Sequence, residues 1–310
     1  MKKAIITGAT GFIGKFLVHK LVEEGVEVIA VVRKNSKGIP EIRSLPIRII
    51  ECDMVDFDQL PQHILDRDID VLFHLAWQGV SDANAKNDAI QIQNIVSTLK
   101  LVDVAKTMSI QTFIGAGSLH EAEAIEEMQE NKIISNLGYM YKTAKLAAHW
   151  MGKAKAGNAG IHFFWPLINT YGEGERSNRL INMLIRKIMV GDEPALSDGS
   201  QYYDFVHVAD VACALYLIAE KGKDGSNYVI GSGHARPLKE FLEEAGKIVN
   251  EMTGNPPVTL GFGQIKSNVI KLPKKVFDVK NLMDDTCFCP SIPFDEGIRR
   301  TAEWIQNDMK

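Results

Sequence analysis

Tyr141 and Lys145 stand four residues apart in a segment, Tyr139 to Lys155, whose alanine and leucine content favours a helix. That spacing puts both side chains on one helix face. A phenol with an ordinary pKa of about 10 is a poor proton donor or acceptor at neutral pH, but a neighbouring ammonium favours its ionised form and brings it toward the working range. Upstream, Phe113-Ile114-Gly115-Ala116-Gly117-Ser118 places Ser118 just past the carboxyl end of an apolar run, where open α/β sheets bind ligands. Its hydroxyl can hydrogen-bond a reacting oxygen. Ser118, Tyr141 and Lys145 are therefore the candidate catalytic residues, suited to moving a proton at a carbonyl oxygen. A Tyr and a Lys at this spacing are commonplace on helices, and the pair gains meaning from a second motif near the N-terminus.

That motif is Thr7-Gly8-Ala9-Thr10-Gly11-Phe12-Ile13-Gly14, with glycines three apart between an apolar run and an amphipathic segment. Gly8 permits a tight turn, Gly11 lets backbone approach a pyrophosphate, and Gly14 allows close helix-to-strand packing. The helix N-terminus supplies free N–H groups and a positive dipole. The loop predicts dinucleotide binding through Gly8, Ala9, Thr10, Gly11, Phe12 and Ile13. At the end of the next apolar run an acidic residue would bond the ribose 2′-OH of NAD, and an arginine would accommodate the 2′-phosphate of NADP. Val32 is followed there by Arg33, Lys34, Asn35 and Ser36, so NADP is expected, through Arg33 and Lys34, with NAD as the alternative.

The elements that must position these groups are legible as short apolar runs at 4–6, 26–32, 47–50, 71–75, 112–114 and 161–164, the pattern of parallel strands buried on both faces. Helical spacings lie between them: Ile13, Phe16, Leu17 and Leu21, then Ile92, Ile95, Val96, Leu99 and Val102. The fold class expected is α/β, a Rossmann-like doubly wound parallel sheet with a smaller C-terminal substrate-binding lobe. The nucleotide-binding part comprises 1–166 plus about 204–232, with strand-like 205–208 and 228–230. The lobe comprises about 167–203 plus 233–310, with a helix near 178–190 and a terminal helix striped by Ile298, Ala302 and Ile305.

The chain has 310 residues, 45% of them hydrophobic and 24% charged, and a net charge of −4, which favours neither nucleic acid nor an anionic membrane. No run reaches the roughly 18 apolar residues of a membrane helix, and the first residues lack the form of a signal peptide. Four cysteines, of which only Cys287 and Cys289 are close, suggest neither a disulfide framework nor a zinc site. A cytoplasmic protein without metal is expected.

Together the glycine loop, Ser118, Tyr141 and Lys145 resemble the extended short-chain dehydrogenase/reductase superfamily, in its nucleotide-sugar epimerase/dehydratase/reductase branch. Further segments carry the resemblance. Cys52-Asp53-Met54 is similar to the segment that meets the adenine, His74-Leu75-Ala76-Trp77 to the fourth-strand signature, and Asn94 to the asparagine on the following helix. Asn169-Thr170-Tyr171-Gly172 resembles the segment carrying a substrate-phosphate asparagine. Asp204-Phe205-Val206-His207-Val208-Ala209-Asp210 resembles the stretch that rejoins the sheet, and Gly231-Ser232-Gly233 the turn after it. The resemblance implies cofactor contacts at Asp53, Met54, Leu75, Ala76, Trp77, Asn94, Tyr141 and Lys145. Ser118 and Tyr141 would share the substrate oxygen, and a nucleotide-sugar would bind Ser118 and Asn169. It also implies a homodimer through helices near 90–107 and 138–155.

Departures from the family pattern narrow the activity. Sugar 4,6-dehydratases carry an Asp-Glu pair after the Ser/Thr position, where this chain has Leu119-His120; Glu121 or Glu123 would have to substitute. The arginine often found before the Asp-Phe-Val-His segment is Tyr203, leaving Arg176, Arg179, Arg186 or Arg236 to replace it, and Arg179 is the expected substrate contact. Trp165-Pro166 is another departure. His74, His207 and His120 are read as structural, and Trp77 as either packing or cleft-shaping. The leading expectation is NADPH-dependent reduction of a 4-keto-6-deoxy nucleotide sugar, the alternative an NAD-dependent nucleotide-sugar 4-epimerase. A cofactor-binding regulator without turnover is the third reading.

Overall fold

In the computed structural model, which describes residues 1–80, 83–130, 137–254, 256–266 and 270–309, the apolar runs form one parallel sheet. Its strands are β1 (Lys3–Thr7), β2 (Glu27–Val32), β3 (Arg48–Glu51), β4 (Val71–His74), β5 (Thr112–Gly115) and β6 (His162–Phe164). Their order is β3-β2-β1-β4-β5-β6, so the winding reverses between β1 and β4. In such sheets that switch point opens a crevice at the carboxyl ends of the strands.

Crossover segments contain α1 (Phe12–Glu23), the short α2 (Ile39–Ile42) and α3 (Leu60–His63), α4 (Asp88–Thr107), α5 (His120–Gln129) and α6 (Tyr139–Ala159). α4 and α6 cover one face, burying Leu101, Val102, Ala105 and Ala148 against Leu72 and Phe113. α1 covers the other with Leu17, Val18 and Leu21. The observed strands agree with the sequence reading to within a residue or so at each end.

Past β6 come β7 (Leu167–Ile168), β8 (Thr170–Tyr171), α7 (Leu180–Met189), β9 (Tyr202–Tyr203), β10 (Val206–His207), α8 (Val208–Lys221), β11 (Val229–Ile230), β12 (Arg236–Pro237), α9 (Leu238–Thr253), α10 (Lys280–Thr286) and α11 (Phe294–Asp308). β10 pairs with β8 and β11 with β7, both parallel, and α8 packs beside α1. The apolar run at 205–208 is thus only partly strand, because His207 caps α8 by accepting from the Ala209 N–H. α7, α9 and α11 enclose a separate core around Leu184, Phe241 and Ile298. Leu282 and Phe288, from the C-terminal portion, pack instead into the α1/α8 core.

The segment Asp204 to Asp210 ties these parts together. Asp204 accepts from the backbone N–H of Ser232 at 3.1 Å and of Gly233 at 2.9 Å, and from the Ser232 hydroxyl. Asp210 accepts from the Ser291 N–H at 2.9 Å and the Ile292 N–H at 3.1 Å. His207 bonds Glu173 through Nε2 at 2.6 Å, and His74 lies between Thr7 and Thr98 at 2.9 and 3.0 Å. Burial, with the Lys145 charge, holds the His74 imidazole down to about 3.

Candidate active site

Gly8 carries a φ of +74°, and a Cβ there would lie 2.6 Å from the amide nitrogen of Ala76, across the switch point. A Cβ on Gly14 would collide with the Gly8 carbonyl. α1 starts at Gly11 without a capping side chain or an acid in its first turn, which leaves its first N–H groups for an anion. These features fit a dinucleotide pyrophosphate.

The crevice beside this loop has a volume of ≈ 770 Å³ and is lined by Gly8, Thr10, Gly11, Phe12, Arg33, Lys34, Asp53, Met54, Leu75, Ala76 and Trp77. Arg33 and Lys34 are exposed and join no ion pair among the described residues. Two residues of the expected phosphate loop also pack into the fold. Ala9 is fully buried in the α1/α8 core and Ile13 packs against it, because residues at the start of α1 must also seal the sheet. Asn94, also expected at the cofactor, has a buried side chain that accepts from the Gln78 N–H at 3.0 Å and donates to its carbonyl at 2.8 Å. It holds the loop after β4 in place.

At the inner end of the crevice, Lys145 donates from Nζ to the Ala116 carbonyl at 2.8 Å, and Nζ lies 3.7 Å from the centre of the Trp77 ring. Burial pulls the ammonium down to about 7. Tyr141 is buried edge-on to Trp77, with ring centroids 6.2 Å apart. Burial pushes its phenol up, while the Arg179 charge and the hydrogen bond with Ser118 pull it back. Trp77 shapes the cleft as well as packing.

Ser118 is held from behind. Glu121, 1% exposed, accepts from the Ser118 N–H at 2.9 Å and the Trp165 indole N–H at 3.0 Å through Oε1, and lies 2.9 Å from His149 Nδ1 through Oε2. Both of its oxygens are engaged by these buried partners, and Glu123, not Glu121, lines the cavity beside Ser118. Ser-x-x-Glu is the capping-box spacing, which is the signal in the sequence for this bond. Trp165 lies flat over Gly115 and Gly117, where a side chain on either glycine would clash with its ring, and the Gly117 N–H donates to the Pro166 carbonyl at 2.9 Å. The Trp-Pro departure thus fixes the loop that carries Ser118.

Ser118 also borders a cavity of ≈ 340 Å³ lined by His120, Glu123, Asn169, Arg179, Tyr203 and an apolar wall of Ile270, Leu272 and Phe277. Asn169 donates to the Asp204 carbonyl at 3.0 Å. Of the four arginines considered for the position of Tyr203, only Arg179 faces this cavity, and it is paired loosely with Glu175 at 3.5 Å. Arg176 borders the dinucleotide crevice, Arg186 faces Asp308 at 3.9 Å, and Arg236 stacks on Phe241 at 4.0 Å. Burial pushes the Tyr203 phenol well above its ordinary range, so it presents a neutral hydroxyl. The sequence reading did not include Asn182, which lines the cavity with a buried Oδ1 that has no hydrogen-bond partner among the described residues.

A sheet switch point with a phosphate loop, beside a Ser-Tyr-Lys set and a second cavity, defines a dinucleotide-linked enzyme of the extended short-chain dehydrogenase/reductase type. Residues 4–231 match the sequence profile of the NAD dependent epimerase/dehydratase family, and the chain belongs to that family. The chain is 24% identical to a dTDP-glucose 4,6-dehydratase of Haemophilus influenzae, with 98% of each covered. It is 24% identical to a CDP-abequose synthase of Salmonella muenchen over 78% of this chain and 79% of that protein. Among solved structures, the UDP-glucose 4-epimerase of Thermotoga maritima with UDP-glucose superposes with a TM-score of 0.78 at 22% identity, covering 99% and 100% of the two chains. The enzyme WbmF of Bordetella bronchiseptica with NADH gives 0.80 at 22% identity, covering 99% and 93%.

Proposed function

We propose that this enzyme reduces the keto group of a 4-keto-6-deoxy nucleotide sugar using NADPH. The observation that carries the reading is the placement of Ser118 and Arg179 on one cavity, next to buried Tyr141 and to Lys145, both of which pack on Trp77 of the dinucleotide crevice. When bound, the reduced nicotinamide supplies the hydride. Ser118 and Tyr141 hold the carbonyl oxygen, and Tyr141 gives it a proton as charge develops there. Lys145 serves the nicotinamide ribose and the charge balance of Tyr141. Arg179 and Asn169 meet the diphosphate. In this reading residues 1–166 with about 204–232 hold the cofactor, about 167–203 with 233–310 hold the substrate, and the enzyme works in the cytoplasm.

Exposed Arg33 and Lys34 at the end of β2 favour the 2′-phosphate of NADP. Calorimetric titration of the stripped protein should show NADP⁺ bound tenfold or more tighter than NAD⁺, about 1.4 kcal/mol. Arg33→Ala should remove that margin.

Similarity to a UDP-glucose 4-epimerase over 99% of the chain favours a second reading, oxidation and re-reduction of one carbon with retained NAD. Incubation with NADPH and dTDP-4-keto-6-deoxyglucose separates the two. Reduction of the sugar with matching NADPH oxidation supports the reductase. An unreduced sugar excludes it, and an epimer formed with no net redox change supports the alternative.

A further inference from the structure

Hydride transfer leaves one histidine and one carboxylate of the substrate cavity without a task. His120 follows Ser118 by two residues, and its backbone N–H donates to Ser118 Oγ at 3.3 Å. Its ring meets Tyr141 edge to face, with centroids 5.9 Å apart and planes at 83°. Nδ1 lies 2.9 Å from Glu123 Oε2, and both residues line the cavity.

A surface ion pair one helical turn apart would look different. Glu123 is 7% exposed, and Lys142 Nζ donates to the same oxygen, Oε2, at 3.4 Å. Burial pushes the carboxyl up, but His120 and Lys142 together outweigh it and keep Glu123 ionised. A carboxylate on Nδ1 fixes the tautomer with its proton there, leaving Nε2 as the basic nitrogen. Nε2 makes no hydrogen bond among the described residues, and half of the His120 side chain, 51%, is exposed.

We propose that His120, oriented by Glu123, is a second proton-transfer group that acts on the carbon next to the keto group of the bound sugar. This rests on the keto-sugar reading above. In the step, the C–H bond beside the carbonyl breaks and its electron pair forms a carbon–carbon double bond. The carbonyl π pair moves to the oxygen, held as an enolate by Ser118 and Tyr141. The proton goes to Nε2 while Glu123 keeps Nδ1–H in place. Return of a proton to the same carbon restores the keto sugar, so no oxidant or reductant is consumed.

The test is solvent exchange in D₂O, with the protein saturated with NADP⁺ and dTDP-4-keto-6-deoxyglucose as probe, read by mass spectrometry and NMR. The wild type should place one deuterium on the carbon beside the carbonyl. His120→Gln should slow that exchange about 100-fold, the scale of a lost general base, and should slow NADPH-dependent reduction on the same preparation much less. Glu123→Gln should slow exchange about tenfold and shift its pH profile, which a purely structural loss would not. Reduction by the wild type without exchange, or exchange by His120→Gln at the wild-type rate, overturns the pair. Exchange without reduction overturns the reductase reading and supports the pair, and neither activity overturns both.

Discussion

The ammonium nitrogen of Lys145 stands 3.7 Å from the centre of the Trp77 ring, a cation–π contact at the inner end of the dinucleotide crevice. Burial lowers its pKa from 10.5 to about 7, so the unfolded chain binds more protons than the folded one between those values. Lys145 therefore destabilises the fold fully below about pH 7, and the cost is relieved as pH rises from there toward 10.5.

Lys145→Met should then melt above the wild type at pH 6, by up to about 5 kcal/mol in stability, with the gap narrowed to about 2 kcal/mol at pH 9. Hydride transfer should fall at least about 100-fold. Thermal melts at the two pH values check this, and a lower melting temperature at pH 6 would contradict the burial cost.

Glu121→Ala should be strongly destabilising, because the Ser118 N–H, the Trp165 indole and His149 all lose a buried acceptor. Each such loss costs about 1–3 kcal/mol, so a decrease of about 3 kcal/mol or more is expected in denaturant unfolding. Glu121→Gln keeps one acceptor oxygen toward Ser118 and Trp165 and should lose less, with kcat reduced more than KM is raised.

Much of this arrangement was legible in the sequence, for reasons that differ by element. The parallel strands are buried on both faces and read as continuous apolar runs. The glycines of residues 8–14 mark a backbone approach that no other residue permits. α9 is equally periodic, with Leu238, Phe241, Leu242, Ala245 and Val249 buried on one side, although the expected lobe does not include it as a helix. α5 is harder. Its buried positions include Glu121, Glu123 and Glu127, paired with His149, His120 and Lys142, so hydrophobic periodicity cannot reveal it. The contacts of Asn94 with Gln78 and of Glu121 with His149 and Trp165 join segments 16 to 44 residues apart, which one-dimensional spacing does not encode.

Gly14→Ala should separate the start of α1 from β1, since its Cβ meets the Gly8 carbonyl. A loss of at least about 2 kcal/mol of stability is expected from such overpacking. Affinity for either dinucleotide should drop at least tenfold by calorimetry. Unchanged binding would remove the loop from the cofactor site.

α4 and α6 expose Ile92, Val96, Trp150 and Met151, with Trp150 66% exposed. Apolar side chains of this size on adjacent helices suit a homodimer contact. Light scattering should give twice the chain mass for the wild type and the single mass for Trp150→Glu; a monomeric wild type would leave this face unassigned.

The most direct test of the account follows the hydride itself. The enzyme is supplied with NADPH deuterated at the transferring position and dTDP-4-keto-6-deoxyglucose, and the reduced sugar is analysed by NMR. The wild type should place one deuterium on the former carbonyl carbon, and Tyr141→Phe, which retains the ring but lacks the proton, should form this product at least about 100-fold more slowly. Product without deuterium at that carbon, or Tyr141→Phe turning over at the wild-type rate, would contradict it.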